Sequence, residues 1–282
     1  MVTLYITDLD GTLLDNNAQI APETARLISE LTRSGALISV ATARTPATVE
    51  PILADTLTAP ELVVMTGAAI WNRPESRFEE IKLVPRAEVP LMLEVFDRRG
   101  LHPFCYVLNR DDRYLDVYHA TPTLSDTEKV FVNERARLTL KGFHLGKECP
   151  AEDYGRVALF FGMGSREAIV SVAEELRAMS ECYISYYKDT YSPDLWLLEI
   201  FGPGVSKAAG VERLRELTRA DRVVAFGDNL NDIPMLQAAD VAVVVGNALP
   251  EVKAVADVVI GPNTDNSVAR FIASDFNSVA HS

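Results

Sequence analysis

Short, continuous apolar runs alternate with helix-like segments at both ends of this chain, and each run stops at polar residues. The clearest runs are Leu4-Tyr5-Ile6, Leu37-Ile38-Ser39-Val40-Ala41 and Val223-Val224-Ala225-Phe226. Such runs are typical of parallel strands that helices cover on both faces. The pattern therefore predicts an α/β fold with a doubly wound parallel sheet. Ligands bind at the carboxyl ends of the strands in such a sheet, so the polar residues that close the runs are the candidate site.

Two carboxylates follow the first apolar run. Asp8 and Asp10 occupy alternate positions, and Gly11 and Thr12 come directly after them. If the strand continues through them, both side chains point to the same side of the sheet. Two carboxylates held this close repel each other, and burial would be costly unless a cation or a shared proton offsets the charge. For a lone Asp-x-Asp, an acidic turn after an edge strand would be the better interpretation, so the rest of the chain has to decide.

A second acidic turn follows the apolar run near residue 225. Its sequence is Gly227-Asp228-Asn229-Leu230-Asn231-Asp232. A glycine followed by acids four residues apart suits a strand-to-loop turn that presents Asp228 to a hard cation such as Mg²⁺, which prefers oxygen ligands. The alternative is an Asn/Asp-rich turn that caps the next helix, and Asp232 suits that role too.

Thr42 and Lys207 complete the set of candidate residues. Thr42 closes the second apolar run, and Ser206 and Lys207 stand where a helix predicted over residues 206–218 begins. Ser206 is a favourable N-cap residue. A lysine at the first helical position faces the positive end of the helix dipole, which costs about 0.3–1 kcal/mol. An anion nearby would reverse the sign of this effect.

Together the four segments resemble the motifs of the haloacid dehalogenase superfamily of phosphohydrolases. Residues 8–12 match its first motif, Thr42 the second, Lys207 the third and residues 227–232 the fourth. Within the superfamily, the chain is similar from end to end to the Cof-type sugar-phosphate phosphatases. It departs from their usual pattern in Thr42-Ala43-Arg44 and Thr66-Gly67-Ala68, two changes that could reshape the leaving-group pocket.

The resemblance implies a Mg²⁺-dependent hydrolase of small phosphorylated metabolites, sugar phosphates above all. It implies that Asp8 attacks phosphorus and forms an aspartyl-phosphate, while Asp10, expected to be buried beside it, acts as general acid and base. Thr42 and Lys207 would hold the phosphoryl oxygens. Mg²⁺ would be bound by Asp8, the backbone carbonyl of Asp10 and Asp228.

Four further assignments rest on the resemblance. Asp232 would join the metal group by orienting metal-bound water. Thr12, Arg44 and Asn231 are assigned to substrate binding, Thr12 by supporting the loop and the other two by contact with the phosphate or the substrate.

The middle of the chain differs in character from its ends. Aromatic, alternating runs replace the short apolar ones, which predicts an α+β insertion with a largely antiparallel sheet over residues 84–202. The Rossmann-like core would then comprise residues 1–83 and 203–282. A charged helix is predicted over residues 125–137. In the resembled family, an insertion at this point is a cap domain that selects the leaving group.

The composition of the chain argues against nucleic acids and membranes as binding partners. The net charge is −13, and no Lys/Arg cluster offers the contacts that a nucleic-acid backbone requires. No apolar run approaches the about 20 residues that span a bilayer, and no signal peptide is evident at the N-terminus. The three cysteines are an odd and widely spaced set, which predicts free thiols in a reducing cytoplasm.

Three other functions fit parts of the pattern. A phosphomutase of the phosphomannomutase type would share the aspartyl-phosphate and the cap. A catalytically silent phosphosugar-binding regulator would share the fold, but pure binding does not need paired acids that face an anion. A dinucleotide-binding oxidoreductase would require a Gly-x-Gly-x-x-Gly turn after the first strand, and the chain has none there.

Overall fold

Both ends of the chain build one unit, and the segment between them builds another. The structure is a computed structural model that describes residues 1–189, 192 and 194–280. The core unit consists of Met1–Ser76 and Ser206–Ser282, and the inserted unit of Arg77–Val205. The predicted core segments run to residue 83 and restart at residue 203, so residues 77–83 and 203–205 belong to the inserted unit instead.

The bounds of the strands and helices follow in chain order. The strands are β1 (Thr3–Thr7), β2 (Leu37–Val40), β3 (Glu61–Val64), β4 (Ala69–Asn72), β5 (Arg77–Ile81), β6 (Phe104–Leu108), β7 (Leu115–His119), β8 (Lys141–Leu145), β9 (Val157–Gly164), β10 (Cys182–Lys188), β11 (Trp196–Pro203), β12 (Arg222–Gly227), β13 (Val241–Val244) and β14 (Val258–Val259). The α-helices are α1 (Pro22–Arg33), α2 (Pro46–Ile52), α3 (Val89–Arg98), α4 (Asp126–Arg135), α5 (Arg166–Arg177), α6 (Lys207–Thr218), α7 (Ile233–Ala238), α8 (Pro250–Lys253) and α9 (Ser267–Ala280).

The core unit is built on a parallel sheet with the strand order β14-β13-β12-β1-β2. Beyond β2, the amide of Thr42 donates to the carbonyl of Val63 at 3.0 Å, which brings β3 alongside, and β4 folds back antiparallel to β3. Helix α1 packs against α9, and α6 packs against α7. The predicted Rossmann-like, doubly wound sheet is confirmed.

The strand order reverses its direction between β1 and β12. From β1 the chain proceeds outward through β2 and β3, whereas from β12 it proceeds outward through β13 and β14 on the other side. A reversal of this kind opens a crevice at the carboxyl ends of the two central strands. Asp8 follows β1 directly and Asp228 follows β12 directly, so both acids stand at this crevice.

The inserted unit contains a six-stranded sheet with the order β10-β11-β9-β6-β7-β8. All its strand pairs are antiparallel except β7 and β8. Helices α3 and α5 pack on one face of this sheet, where Phe96 of α3 lies against Phe160 of β9. Helix α4 packs on the opposite face through Phe131, whose ring lies 5.1 Å from that of Phe104. The predicted α+β character and the helix predicted over residues 125–137 are confirmed.

Two compositional expectations can be compared with the structure. Cys105, Cys149 and Cys182 are all buried free thiols, as predicted. In the part of the chain that the structure describes, no helix combines the length and the apolar character that crossing a membrane requires.

Candidate active site

Asp8 lies at the point where the chain leaves the parallel sheet. Strand β1 ends at Thr7, and the amide of Asp8 makes one more sheet-like hydrogen bond, to the carbonyl of Phe226 at 3.0 Å. The next residues form a tight turn that includes Gly11 at φ +76°. The expectation that one strand carries both Asp8 and Asp10 is therefore wrong, because the backbone turns before it reaches Asp10.

Lys207 joins two carboxylates beneath the crevice. Its Nζ lies 2.6 Å from Oδ1 of Asp8 and 2.6 Å from Oδ1 of Asp232, and all three side chains are buried. Ser206 caps α6 by accepting a hydrogen bond from the amide of Ala209, as predicted. Burial lowers the pKa of Lys207, but the attraction of Asp8 and Asp232 outweighs it and raises the pKa above its ordinary value. Lys207 is therefore a cation at neutral pH, and its two partners offset the unfavourable helix dipole.

Asp232 fixes the turn that presents Asp228. Its Oδ1 binds Lys207, and its Oδ2 accepts hydrogen bonds from the amides of Asp228 and Asn229, each at 3.0 Å. Its carboxylate closes the capping box of the short turn Leu230–Asp232, but it makes no side-chain cap hydrogen bond to α7. Because both its oxygens are engaged, Asp232 is less suited to direct metal binding than Asp8 or Asp228.

Thr12 orients Asp228. Its buried hydroxyl donates to Oδ1 of Asp228 at 2.8 Å, and Oδ2 of Asp228 lies so close to Gly11 that a Cβ there would collide with it. Thr12 therefore lies behind Asp228 and supports the first turn. In this structure its hydroxyl orients the Asp228 carboxylate, and we no longer assign Thr12 to substrate binding.

The three clustered acids, two of them buried and Asp228 half-buried, fit a divalent cation. One carboxylate oxygen from each of Asp8, Asp228 and Asp232 lies within 4.8 Å of the others. Among the described residues, the ammonium of Lys207 contacts Asp8 and Asp232, whereas Asp228 is held by the hydroxyl of Thr12, so negative charge is in excess. Burial raises the pKa of Asp8 to about 7 and that of Asp228 to about 6. Oxygen donors and uncompensated negative charge are what Mg²⁺ selects.

Asp10 is held by a different cation. Its carboxylate accepts two hydrogen bonds from Arg44, from Nε at 2.7 Å and from Nη2 at 2.6 Å. The Asp10 side chain is 52% exposed, so the expectation that it is buried beside Asp8 is wrong. Asp10 and Arg44 form a bidentate ion pair at the solvent side of the crevice.

Thr42 follows β2 and Asn231 follows β12, the two strands that flank β1 in the sheet. Thr42 follows β2, is fully buried, and its hydroxyl accepts a hydrogen bond from the amide of Arg44 at 3.2 Å. The hydroxyl proton therefore remains for another acceptor. Asn231 is exposed in the turn that follows β12, one residue before Asp232.

Two asparagines that the prediction did not assign to the site hold its first turn in place. The Asn247 amide donates to the carbonyl of Gly11 at 2.8 Å, and its Oδ1 accepts from the amide of Asn263 at 2.9 Å. Asn263 in turn donates to the carbonyl of Leu14 at 2.8 Å. Asn247 could have been found from the sequence, because it comes shortly after the apolar run of β13, and the position of Thr42 after an apolar run identified that residue in the same way.

Comparison with known proteins agrees with this geometry. A family model described as haloacid dehalogenase-like hydrolase matches residues 5–272, and the chain belongs to this family. The protein is a phosphatase, which confirms the predicted enzyme class and the resemblance to the Cof-type phosphatases.

Two curated relatives and one solved structure illustrate the similarity. The pyridoxal phosphate phosphatase of Escherichia coli is 24% identical over 95% of this chain and 96% of its own. A 5-amino-6-(5-phospho-D-ribitylamino)uracil phosphatase of Bacillus subtilis is 25% identical over 96% of this chain and 94% of its own. A haloacid dehalogenase-like hydrolase from Bacteroides thetaiotaomicron superposes with a TM-score of 0.78 at 21% identity, over 97% of this chain and 99% of its own.

Proposed function

We propose that this protein hydrolyses phosphomonoesters of small metabolites through an aspartyl-phosphate on Asp8 and depends on Mg²⁺. The observation that carries the proposal is the buried contact of Asp8 with Lys207, at 2.6 Å, at the reversal point of the sheet. An ionised carboxylate is a competent nucleophile toward phosphorus, and Lys207 keeps a positive charge where the anionic phosphoryl group must approach.

The proposed reaction has two displacements at phosphorus. In the first, Oδ of Asp8 bonds to phosphorus, the ester P–O bond breaks, and Asp10 gives its proton to the departing oxygen. In the second, water gives a proton to Asp10 and bonds to phosphorus, the bond to Asp8 breaks, and inorganic phosphate leaves. Asp8 and Asp10 end as they began.

Lys207 and Thr42 are proposed to hold the phosphoryl oxygens. Phosphoryl transfer relies mainly on positioning and on stabilisation of the charge on these oxygens. Lys207 supplies a buried cation, and Thr42 has a hydroxyl proton to donate. Both side chains are fixed by packing and hydrogen bonds, so little reorganisation is needed when the substrate binds.

Asp8 and Asp228 would hold the metal, together with the carbonyl of Asp10. When bound there, Mg²⁺ supplies positive charge that offsets the repulsion between an anionic nucleophile and an anionic phosphate. Asp232 and Thr12 act through Asp228, since one fixes its turn and the other orients its carboxylate.

Arg44 is proposed to exchange partners during the cycle. Its guanidinium binds both oxygens of Asp10, and a carboxylate held in this way cannot protonate a leaving group. A phosphate or another anionic part of the substrate would compete for Arg44, with Asn231 as a further contact, and would release Asp10 for proton transfer.

The proposed substrates are small phosphorylated metabolites, with sugar phosphates first. Two of the relatives are named as phosphatases of pyridoxal phosphate and of 5-amino-6-(5-phospho-D-ribitylamino)uracil. These two substrates differ widely beyond the phosphate ester, which is consistent with a core site that recognises the phosphoryl group itself.

The test is phosphate release from a panel of phosphomonoesters, with Mg²⁺ and with EDTA. Wild type should release phosphate only with Mg²⁺. Asp8→Asn should lose on the order of 10³-fold or more, because it keeps the shape and removes the nucleophile, while the matched surface variant Asp111→Asn should match wild type. Turnover by a purified, folded Asp8→Asn protein near the wild-type rate would exclude the aspartyl-phosphate. Turnover only with a sugar bisphosphate activator would indicate a phosphomutase.

A further inference from the structure

Thr66 has a buried hydroxyl group without a hydrogen-bond partner among the residues that the structure describes. The residue is 4% exposed, and its amide is paired, since it donates to the carbonyl of Thr42 at 3.0 Å. Buried polar side-chain groups are paired in the large majority of cases, and each exception calls for an explanation. The described part of the chain therefore does not use the hydroxyl proton of Thr66.

The backbone of Thr66 is strained. Its φ of +60° and ψ of 22° are left-handed, a conformation that β-branched residues rarely adopt. One residue earlier, the amide of Met65 donates to the carbonyl of Arg44 at 3.0 Å. This bond and the bond from Thr66 to Thr42 hold the turn in its unusual conformation. Strain of this kind persists only where surrounding contacts maintain it, and it clusters at active sites and ligand-binding loops.

Thr66 lies between two segments that are proposed to hold the phosphoryl group. On one side its amide contacts Thr42. On the other side its neighbour Gly67 packs against the start of α6, where a Cβ at Gly67 would lie 3.2 Å from the amide nitrogen of Lys207. Thr42 and Lys207 are as deeply buried as Thr66, whereas Asp10, the proposed proton donor to the leaving group, is 52% exposed. By position and depth, Thr66 belongs with the phosphoryl contacts.

Lys207 and Thr42 alone do not saturate the acceptors of a phosphoryl group. Such a group presents three strong acceptor oxygens. The ammonium of Lys207 has three N–H donors, of which Asp8 and Asp232 accept two. Thr42 contributes one hydroxyl proton, because its oxygen only accepts from the amide of Arg44. Two protein donors therefore face three oxygens, and the hydroxyl of Thr66 would supply a third.

We propose that Thr66 is a further substrate-binding residue, whose hydroxyl donates a hydrogen bond to a phosphoryl oxygen beside Thr42 and Lys207. The acceptor is the phosphoryl group that all phosphomonoesters and inorganic phosphate share, not the varying part of the ester. As a contact to substrate the assignment rests on the proposed function, but binding of inorganic phosphate tests it without turnover. The rigid turn places the hydroxyl before the phosphate arrives, which lowers the entropy lost on binding.

The structure offers a matched pair of variants. Thr66→Val removes the hydroxyl and keeps the β-branched shape. Thr3→Val is the control, because the hydroxyl of Thr3 is also buried and without a partner among the described residues, but Thr3 begins β1, at the opposite end of the strand from Asp8. Both variants should unfold at the wild-type temperature or above, since each removes an unpaired buried polar group. Thr66→Ser keeps the hydroxyl and is the conservative variant.

The first measurement is kcat/KM for a panel of phosphomonoesters. Thr66→Val should lower kcat/KM about 10–100-fold, the usual effect of losing one hydrogen bond to a charged group. The factor should be similar for every ester, because the esters share the phosphoryl group. Thr3→Val should match wild type, and Thr66→Ser should retain most of the wild-type value.

The second measurement is the binding of inorganic phosphate, which needs no turnover. Thermal unfolding is followed in Mg²⁺ with sodium phosphate or with sodium chloride at the same ionic strength. Phosphate should raise the Tm of wild type, Thr3→Val and Thr66→Ser by more than it raises the Tm of Thr66→Val. If wild type hydrolyses no ester but this dependence on Thr66 remains, the proposed hydrolysis fails and the phosphate contact stands.

Four results would overturn the contact. The first is a wild-type kcat/KM together with a wild-type phosphate shift in Thr66→Val. The second is an equal loss in Thr66→Val and Thr3→Val. The third is a Tm of Thr66→Val below that of wild type without phosphate, with an unchanged phosphate shift, which would assign the hydroxyl to packing alone. The fourth is the absence of both turnover and a phosphate shift in wild type.

Discussion

Asp8 and Asp10 are two residues apart, yet their carboxylates meet different cations. Asp8 is buried against Lys207, and Asp10 is half-exposed against Arg44. Burial raises the pKa of Asp8, whereas the contact with Lys207 favours its ionised form and fixes its position, which suits a nucleophile. A carboxylate at the solvent side can exchange protons with a leaving group and with water. The two environments therefore separate the two proposed roles at the scale of single residues.

The role of Asp10 leads to a test with two leaving groups. Asp10→Asn should lower kcat for an alkyl phosphate by about 10²–10⁴-fold, the usual contribution of a general acid. With p-nitrophenyl phosphate the loss should be much smaller in the first displacement, because p-nitrophenolate leaves without a proton. Burst and steady-state kinetics with both esters provide the measurement. Losses of equal size for both esters, in the burst as well as the steady state, would contradict proton donation by Asp10.

At the scale of elements, the tight turn between β3 and β4 contacts the start of the helix that carries Lys207. Met65, Thr66 and Gly67 all have positive φ after β3. Gly67 approaches the carbonyl of Ser206 so closely that a Cβ would collide with it. Because Ser206 caps α6, this contact sets the position of the first helical turn and of Lys207.

Gly67→Ala should therefore impair both stability and catalysis. We expect a loss of about 3 kcal/mol or more, from the left-handed backbone and the collision together, and a fall in kcat of at least tenfold as Lys207 moves. Gly35→Ala is the matched control, because Gly35 also has positive φ but nothing lies within 4 Å of its Cβ position. That variant should lose about 1–2 kcal/mol and keep its kcat. Denaturant unfolding and phosphate release measure the two effects, and equal behaviour of the two variants would disprove the coupling.

Individual helices and strands differ in how well the sequence alone predicts them. Helix α1 was predictable with its bounds, because Pro22 and the Ser34-Gly35 stop are local signals. Strand β4 was not, because its hairpin depends on the unusual backbone of residues 65–67. In the site, the residues could be named from the ends of the apolar runs. Their partners could not, since the pairing of Lys207 with Asp232, or of Arg44 with Asp10, is decided by how distant turns pack.

At the scale of the whole molecule, the carboxylate site lies entirely in the core unit although its residues come from both ends of the chain. Asp8 and Asp228 are separated by the whole inserted unit in sequence. The chain as a whole carries a net charge of −13, and folding brings these two acids close together, which adds local repulsion. A divalent cation bound at Asp8 and Asp228 would relieve this repulsion in the folded state only.

Hydrogen exchange should reveal this linkage. At 100 times its Kd, a ligand that binds only the folded state stabilises it by about 2.7 kcal/mol, which slows exchange about 100-fold for amides that exchange through unfolding of that unit. Mg²⁺ should therefore protect the turns at residues 8–14 and 227–232 and the strands β1 and β12, and leave Arg77–Val205 unchanged. Asp228→Asn should abolish the protection, whereas Asp111→Asn should retain it. Protection confined to the inserted unit, or equal protection in Asp228→Asn, would place the cation elsewhere than between the ends of β1 and β12.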